Sequence, residues 1–230
     1  MKRIAIIPAR GGSKRIPRKN IKLFLGKPII AYSIEAALKS NLFDKVIVST
    51  DDKKIAEIAL KFGAEVPFLR SQNTSNDFSS TFDVIEEVTK NLKTLNEVFD
   101  YTCCIYPCAP FTSIENLLLS FNLLIKHKFD SVFPILQFSI PIQRALTYKE
   151  NKVDFFKKEY SLSRSQDLEK SYHDAGQFYW MNTQTCLVKK SIITDNSGGI
   201  ILSELEGQDI DNEIDWKLAE FKYELLQSTK

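Results

Sequence analysis

Short apolar runs alternate with longer amphipathic stretches along most of this chain, which is the pattern of strands alternating with helices. The first run breaks at a glycine pair and the central run at two prolines, as buried strands commonly do. We predict strands at residues 4–7, 46–48, 66–69, 101–106, 131–136, 177–180 and 200–202. The alternation predicts an α/β fold with a mostly parallel central sheet that helices cover on both faces.

The amphipathic stretches carry the start and stop signals of helices. Gly63 is placed to end the second helix. Ser80 and Asp83 have the spacing of a capping box, and Thr112 with Glu115 repeats that spacing. We predict helix starts near Pro28, Asp51-Asp52, Ser80, Thr112 and Asn212.

The regular alternation fails between residues 137 and 172, which are polar and aromatic with only short strand-like pieces. An excursion of this length inside a compact domain usually forms a lid, a substrate wall or a dimer arm. We therefore predict that residues 1–230 form one domain with a small excursion subdomain at 137–172.

The composition excludes several classes of function. Lys and Arg total 31 against 29 Asp and Glu, a formal charge of +2 that argues against a general nucleic-acid binder. No apolar run approaches a bilayer span and no signal-peptide core follows the first residues, so we expect a cytoplasmic protein with no membrane partner. The four cysteines form no C-x-x-C pair, which argues against a zinc site or a disulfide framework.

A basic stretch follows the first predicted strand directly. Arg10 precedes the Gly-Gly-Ser turn at 11–13, and four more cations come before Asn20, namely Lys14, Arg15, Arg18 and Lys19. A turn without bulky side chains can point its backbone N–H groups together at an anion. The stretch contains no carboxylate, so it predicts a polyphosphate site, with a solvated basic loop as the alternative. The spacing fits neither the P-loop nor the three-glycine dinucleotide motif.

Two carboxylates precede the last predicted helix. In an extended segment Asp209 and Asp211 project from the same face, while Ile210 points to the other. Paired oxygen ligands suit Mg²⁺, which proteins usually hold with one or two carboxylates and substrate phosphates. Helix capping is the alternative, since Asp residues also favour helix starts. The basic stretch favours the metal interpretation, because both halves of a Mg-nucleotide site are then present.

The pattern Pro-Ala-Arg-Gly-Gly-Ser-Lys, four further residues and Lys-Asn closely resembles the acylneuraminate cytidylyltransferase family. The resemblance implies a Rossmann-like nucleotidyltransferase sandwich of three layers, in which a sugar hydroxyl attacks the α-phosphate of CTP. By the same resemblance, Asp209 and Asp211 bind the metal, Arg10 and Lys19 stabilise the transition-state charge, and Asp211 is a candidate base. The implied nucleotide-binding residues are Ala9, Arg10, Gly12, Ser13, Lys14, Lys19, Asn20, Arg70, Ser79, Ser80 and Thr81.

The acceptor region departs from the sialic-acid members of that family. Tyr106 replaces a glutamine expected near the sugar, and residues 163–180 resemble the pseudaminate branch. Arg164 is a candidate partner for the sugar carboxylate, or else a surface arginine. The remaining predicted substrate contacts are His173, Asp174 and Gln177, with Asp174 either orienting His173 for the substrate or forming a structural pair with it.

The resemblance thus predicts a Mg²⁺-dependent enzyme that joins CTP to pseudaminic acid, a nine-carbon sugar acid. N-acetylneuraminate, legionaminate or an eight-carbon ulosonate is the alternative acceptor, and a non-catalytic nucleotide-binding protein is the alternative outside the class. Family relatives dimerise through the region that corresponds to residues 137–172, so we also expect a homodimer.

Overall fold

Within residues 1–228, which the computed structural model describes, the chain forms eleven strands and seven α-helices. The strands are β1 (Arg3–Pro8), β2 (Leu23–Phe24), β3 (Lys27–Pro28), β4 (Lys45–Ser49), β5 (Tyr101–Ile105), β6 (Ser131–Gln137), β7 (Leu146–Lys149), β8 (Lys152–Phe155), β9 (Tyr172–Asp174), β10 (Phe178–Asn182) and β11 (Ser197–Ile201). The helices are α1 (Ile29–Lys39), α2 (Lys53–Lys61), α3 (Gln72–Ser75), α4 (Thr81–Thr94), α5 (Ile114–His127), α6 (Thr183–Lys189) and α7 (Glu213–Ser228).

Seven of these strands form the central sheet in the order β11-β6-β10-β5-β1-β4, with β9 paired to the end of β6. β1 is parallel to β4 and β5, and β11 is parallel to β6. β10 runs antiparallel between β5 and β6. The predicted α/β class and mostly parallel sheet are confirmed.

The antiparallel strands have a simple cause in the path of the chain. The chain leaves β6 at Gln137, and β9 brings it back beside the same end of that strand, pairing Gln137 with Tyr172. No helix crosses back between them to the opposite edge of the sheet, so β10 enters from the edge where β6 ends. A strand that enters there must run against β5 and β6.

Alternate residues of β1 face opposite sides of the sheet, as strand geometry requires. Ala5 and Ile7 belong to one core cluster, to which α1, α2 and α5 contribute. Ile4 and Ile6 belong to a second cluster, to which α4 and α6 contribute. Helices therefore cover both faces, and the predicted three-layer arrangement is confirmed.

The strand predicted at residues 66–69 is wrong. An isolated parallel bridge between Ile47 and Glu65 is the only pairing there within residues 1–228. Pro67 has no N–H to donate to a ladder, so pairing along β4 stops before it. The segment nevertheless follows β4, since the Arg70 N–H donates to Thr50 O at 2.8 Å.

The cap of α5 lies one residue later than predicted. Ser113 is the N-cap, and its hydroxyl accepts a hydrogen bond from the Asn116 N–H at 3.1 Å. The Thr112 hydroxyl is buried without a partner among the described residues, so the predicted box with Glu115 is wrong. The helix itself is confirmed, because either residue type can start it.

Residues 137–172 contain the antiparallel β7–β8 hairpin and three short helical turns. This segment carries many exposed apolar side chains, among them Ile140, Tyr148, Val153, Phe156 and Leu162.

None of the helices within residues 1–228 combines the length and the apolar character that a bilayer crossing requires.

Candidate functional site

The segments that carry the predicted chemistry meet at one edge of the sheet. β1, β4, β5, β6 and β11 run in the same direction, so their carboxyl ends lie together. The segments at this edge are the basic loop (residues 9–20), residues 50–52, residues 106–113 and residues 202–211. Ligands of open α/β sheets bind at such an edge.

The basic loop is held by the two carboxylates that follow β4. The Gly11 N–H donates to Asp51 Oδ1 at 2.9 Å. The Arg18 guanidinium donates to both oxygens of Asp52, at 2.5 and 3.2 Å, and this pairing lowers the pKa of that carboxyl. A Cβ on Gly11 would lie 2.9 Å from Asp52 Oδ2, so the close approach requires glycine. Asp51 and Asp52 therefore fix the shape of the loop.

A cavity of about 200 Å³, here called the loop cavity, opens beside this turn. Asn20 is buried, and its side-chain amide donates to Arg10 O at 2.9 Å. Ala9 is fully buried with its N–H donating to Ser49 O, so it supports the loop without lining the cavity. Gly12 is exposed beside the cavity. The charged and polar lining residues are Arg10, Ser13, Lys14, Arg15, Lys19 and Asn20.

The loop touches the acidic segment (residues 209–211) from the other end of the chain. Lys19 Nζ donates to Ile210 O at 2.7 Å. Arg15 Nη1 lies 2.5 Å from Asp211 Oδ2. The cationic turn and the paired carboxylates are thus adjacent in the folded chain, although about 190 residues separate them in the sequence.

An apolar cluster explains why these two segments meet. Ile16 of the loop and Ile210 of the acidic segment are 1% and 2% exposed, and both belong to it. Burying two such side chains stabilises the approach by roughly 1.5–3 kcal/mol each relative to leaving them exposed. The other buried members are Phe24, Ile29, Phe111, Trp216 and Ala219.

The paired carboxylates are not needed to cap α7. Asn212 Oδ1 accepts from the Asp215 N–H at 3.0 Å, and Asp215 Oδ2 accepts from the Asn212 N–H at 3.0 Å. This reciprocal pair caps the helix. Asp209 and Asp211 lie before this pair, and neither of their side chains takes part in it. The capping alternative is therefore not the arrangement that the structure adopts.

The donor set near the loop cavity fits a metal that is shared with a substrate. Within residues 1–228, no three or more His, Cys, Asp or Glu side chains are grouped so that they could hold a metal ion. Asp209 and Asp211 alone match the one or two carboxylates with which proteins usually hold Mg²⁺, when phosphates and water complete its octahedron. A site made wholly of protein ligands is not present in the described chain.

A second cavity of about 200 Å³, here called the Arg70 cavity, shares Arg10 with the loop cavity. Arg70 is 7% exposed, and its guanidinium donates to Ser49 Oγ at 3.1 Å and to Ser49 O. Burial lowers the pKa of this guanidinium. The polar residues that line the cavity are Arg10, Arg70, Thr74, Asn76, Asp77, Ser79, Ser80, Thr81 and Tyr106.

The three hydroxyl residues predicted to read a nucleotide all line the Arg70 cavity. Ser80 also forms the predicted capping box of α4, since its hydroxyl accepts from the Asp83 N–H at 3.2 Å. Ser79 Oγ donates to Asn73 O at 2.9 Å. Thr81 Oγ1 lies 3.0 Å from the Tyr106 hydroxyl. The capping role and a place in the cavity are therefore compatible.

Tyr106 lies beside the predicted nucleotide residues rather than in the region of His173. It lines the Arg70 cavity, and burial raises the pKa of its hydroxyl. Its ring packs against that of Tyr179, with 5.3 Å between the ring centroids. The structure therefore places Tyr106 beside the residues predicted to bind the nucleotide, and its contact with a sugar stays a prediction.

Asp77 bridges two cations of the basic loop. Arg10 Nη1 donates to Asp77 Oδ1 at 2.9 Å, and Lys14 Nζ donates to Asp77 Oδ2 at 2.5 Å. The hydrogen bond from Lys14 lowers the pKa of this carboxyl. A phosphate that binds both cations must displace the carboxylate, so Asp77 competes with any anion in the loop cavity.

A third cavity of about 490 Å³, here called the His173 cavity, lies on the other side of the acidic segment. Its lining includes Phe138, His173, Gln208, Asp209 and Lys222. The His173 ring packs against Phe138 with 4.8 Å between centroids. Asp209 lines this cavity and its neighbour Ile210 touches Lys19, so the acidic segment separates the two spaces.

The predicted pairing of His173 with the Asp174 side chain is wrong. His173 Nδ1 lies 2.9 Å from the backbone oxygen of Asp174. The Asp174 carboxylate instead accepts from Tyr179 Oη at 2.6 Å and from the Gly176 N–H at 2.8 Å. Side chains point to opposite faces at successive strand positions, so adjacent residues of β9 rarely meet.

The last two predicted substrate contacts lie apart from these cavities. Gln177 is 2% exposed, and its Nε2 donates to Glu206 O at 2.5 Å. This hydrogen bond joins the residue before β10 to the segment that precedes the acidic residues. Gln177 lines none of the three cavities. Arg164 is exposed in the excursion and lines none of the three cavities.

A larger cavity, of about 710 Å³, lies between α1, the start of α5 and α7. It contains none of the residues predicted to act. The smaller loop cavity concentrates cations beside the acidic segment, where Asp211 pairs with Arg15. This arrangement of charges indicates an anion site more strongly than the size of a cavity does.

Known proteins resemble this chain over nearly its whole length. The family model described as cytidylyltransferase matches residues 4–206. A pseudaminic acid cytidylyltransferase from Campylobacter jejuni is 43% identical over 226 residues, which cover 98% of this chain and 97% of that relative. A CMP-N,N'-diacetyllegionaminic acid synthase from Legionella pneumophila is 33% identical, with 99% of this chain and 98% of the relative covered.

A solved structure shares the fold. It is a CMP:2-keto-3-deoxy-manno-octonic acid synthetase complexed with CTP, with a TM-score of 0.70 and 17% identity. The match covers 99% of this chain and 100% of that structure. At this identity the likeness concerns the arrangement of the strands and helices alone.

Proposed function

The chain belongs to the cytidylyltransferase family, and from that premise we propose that it transfers CMP from CTP to pseudaminic acid. In this reaction the anomeric hydroxyl of the sugar acid attacks the α-phosphate, and pyrophosphate leaves. The sugar acid is supported by the 43% identity to the Campylobacter jejuni pseudaminic acid cytidylyltransferase across almost both chains.

One structural observation carries the chemistry. Lys19 of the basic loop donates to Ile210 O, between the carboxylates of Asp209 and Asp211. A triphosphate in the loop cavity would then lie between cations and a carboxylate pair. Phosphoryl transfer depends mostly on such positioning and charge neutralisation, because little covalent chemistry falls to the protein.

The two smaller cavities divide the nucleotide between them. We assign the triphosphate to the loop cavity and the cytidine to the Arg70 cavity, because Arg10 lines both. Arg10 and Lys19 are placed to stabilise charge on the α-phosphate as the bond to pyrophosphate breaks. Asp77 must release Arg10 and Lys14 before the triphosphate can bind both.

We also propose that Asp209 and Asp211 hold Mg²⁺ together with the nucleotide. When bound, the ion neutralises phosphate charge and polarises the phosphoryl oxygens. Asp211 must give up its ion pair with Arg15 in order to bind the metal. Its carboxylate is also our candidate for accepting the proton of the attacking hydroxyl.

The sugar acid is assigned to the His173 cavity. Asp209 lines that cavity and also precedes the residue that Lys19 contacts, so an acceptor there adjoins the phosphates. Phe138 and His173 offer ring surfaces to an acceptor with few hydroxyls. Arg164 remains our candidate for the sugar carboxylate.

A direct assay tests this function. Purified protein would be given CTP, Mg²⁺ and one sugar acid at a time, with pyrophosphate release followed and the CMP-sugar identified by mass. We expect turnover with pseudaminic acid. Turnover with legionaminic acid alone would overturn the acceptor assignment, and it is the alternative that the 33% relative favours.

A homodimer and a cytoplasmic location complete the proposal. The exposed apolar residues of the excursion support a second copy as the partner, since burying them removes apolar surface from water. Sedimentation analysis of the protein and of a Tyr148→Glu variant tests this, with a dimer expected for the first and a monomer for the second. A wild-type monomer at micromolar concentration would contradict it.

A further inference from the structure

Two consecutive hydrogen bonds tie the basic loop to the segment that follows β5. The Asn20 side-chain amide donates to Arg10 O at 2.9 Å. The Cys108 thiol donates to Asn20 Oδ1 at 3.2 Å. Asn20 is 5% exposed, so this amide is almost entirely removed from water. One buried amide thus joins two segments that lie 88 residues apart in the sequence.

The carbonyl at one end determines the orientation of this amide. A backbone carbonyl only accepts hydrogen bonds, so the Asn20 atom that faces Arg10 O is Nδ2. The atom that faces Cys108 is then Oδ1, which has no hydrogen, so the thiol must be the donor. Removal from water raises the pKa of the Cys108 thiol to about 12, so the sulfur carries the hydrogen that this bond needs.

Cys108 supports the loop from behind the wall of the loop cavity. Its neighbour Pro107 and its partner Asn20 both line that cavity, whereas Cys108 does not. The Cys108 side chain packs against the apolar cluster that contains Ile16 and Ile210. An effect of Cys108 on a ligand in the cavity must therefore pass through the groups that it contacts.

We propose that Cys108 is a positioning residue whose thiol holds the Asn20 amide and so fixes Arg10 for the triphosphate. Arg10 lines both nucleotide cavities, and the bond from Asn20 holds its backbone oxygen. Asn20 also directly follows Lys19, the other cation that we assign to the transition state. This inference rests on the proposed function, which places a triphosphate in the loop cavity.

Loss of the thiol hydrogen would leave a buried acceptor without this donor. A buried acceptor without a partner is costly, so the amide would turn or move to find another one. Because the same amide holds Arg10 O, such a movement would release the backbone of Arg10. The basic loop would then have to be ordered by the ligand, which weakens binding.

The competing explanation is that Cys108 only fills apolar space, as free cysteines often do. The two roles place opposite demands on the side chain. A hydrogen-bonding role needs a donor, which Cys108→Ser keeps and Cys108→Val removes. A packing role needs apolar volume, which Cys108→Val keeps and Cys108→Ser reduces.

The test measures the Kd values of CTP and of inorganic tripolyphosphate by titration calorimetry, with Mg²⁺ and without the sugar acid. We expect Cys108→Val to weaken the binding of both ligands about tenfold, as the loss of one buried hydrogen bond does. Cys108→Ser should bind both within about twofold of the wild type. An equal loss for both ligands would assign the effect to the triphosphate, since tripolyphosphate has neither base nor sugar.

A matched control and a double variant separate this role from a general loss of stability. Cys186→Val makes the same change at a thiol that lines none of the three cavities, and it should keep the wild-type Kd values. In the Asn20→Ala background, Cys108→Val should have no further effect, because the thiol acts through that amide. If Cys108→Val does not fold, Cys108→Ala replaces it in both comparisons, because it also lacks the donor.

Two results would overturn the inference. One is wild-type affinity in Cys108→Val, which would mean that apolar volume suffices at this position. The other is a further loss of affinity from Cys108→Val in the Asn20→Ala background, which would mean that the thiol does not act through Asn20. Failure of the proposed function would appear separately, as a wild-type protein that binds neither CTP nor tripolyphosphate.

Discussion

The proposed nucleotide side and the proposed acceptor side of this protein are built differently. On the nucleotide side, charged loop residues are held by groups from distant elements, as Asp52 holds Arg18 and Ile210 O holds Lys19. On the acceptor side, Arg164 and the tips of the β7–β8 hairpin are exposed, and β9 is exposed throughout. A single chain therefore preorganises the proposed phosphate site more completely than it encloses the proposed acceptor site.

The physical reason lies in what each side is attached to. The basic loop and the acidic segment share an apolar cluster through Ile16 and Ile210, so their geometry is fixed by packing. The excursion is long and exposes apolar side chains, so its geometry depends on what covers them.

Removing the cation that touches the acidic segment should have the largest effect. We expect Lys19→Met to lower turnover by about 10²–10³-fold, the usual loss when a preorganised charge-stabilising group is removed. Lys22→Met is the matched control, because Lys22 lies outside the loop cavity and pairs with Glu213. Steady-state pyrophosphate release measures both, and equal turnover in the two variants would refute the role of Lys19.

Neutralising one carboxylate of the acidic segment should act through the metal. Asp211→Asn should raise the Mg²⁺ concentration for half-maximal turnover at least about 10–100-fold, which is the loss that removing even an outer-shell partner of a metal ligand commonly causes. Glu213→Gln is the control two residues later, on an exposed side chain paired with Lys22. The magnesium assignment fails if Asp211→Asn and Glu213→Gln give the same Mg²⁺ titration curve.

Trimming the shared apolar cluster should cost stability. Ile210→Val should lower the free energy of unfolding by about 0.5–1.5 kcal/mol, since it removes a buried methylene. Ile214→Val makes the same change on a side chain that is 78% exposed, and should stay within about 0.5 kcal/mol of the wild type. Denaturant unfolding of both variants checks this. An equally small effect at both positions would mean that packing does not hold the acidic segment.

Removing the anion that competes for the loop should have the smallest effect and the opposite sign. Asp77→Asn should tighten CTP binding about threefold, because the exposed pairs with Arg10 and Lys14 are weak and no longer need to be broken. Asp44→Asn, which is distant from both nucleotide cavities, serves as the control in the same calorimetric titration. Weaker CTP binding by Asp77→Asn would instead make Asp77 a contributor to the nucleotide site.

Sequence reasoning correctly predicted that the basic loop and the acidic segment lie together, because the signals in each segment are local. The glycine pair, the cations and the Asp-Ile-Asp spacing each specify chemistry within a few residues, and the structure brings them together. The antiparallel β10 escaped prediction because strand direction depends on where the excursion returns. The strand at 66–69 failed because the prediction followed the apolar run, although Pro67 within that run has no N–H for a ladder.

The acceptor side was predicted less well because its contacts are not local. Adjacency in sequence suggested a pair between His173 and Asp174, whereas strand geometry sends the carboxylate to Tyr179.

The roles of Asp51 and Asp52 in holding the basic loop were also missed. Both follow a strand that ends at the same edge as β1, and that signal was available in the sequence.

A crystal structure with CTP and Mn²⁺ in place of Mg²⁺, read by anomalous scattering, would show whether the basic loop and the acidic segment form one metal-nucleotide site. We predict a manganese peak about 2.0–2.3 Å from carboxylate oxygens of Asp209 and Asp211, bridged to phosphates that Lys19 and Arg10 contact. A manganese peak elsewhere, or a triphosphate outside the loop cavity, would mean that these two segments do not form the site.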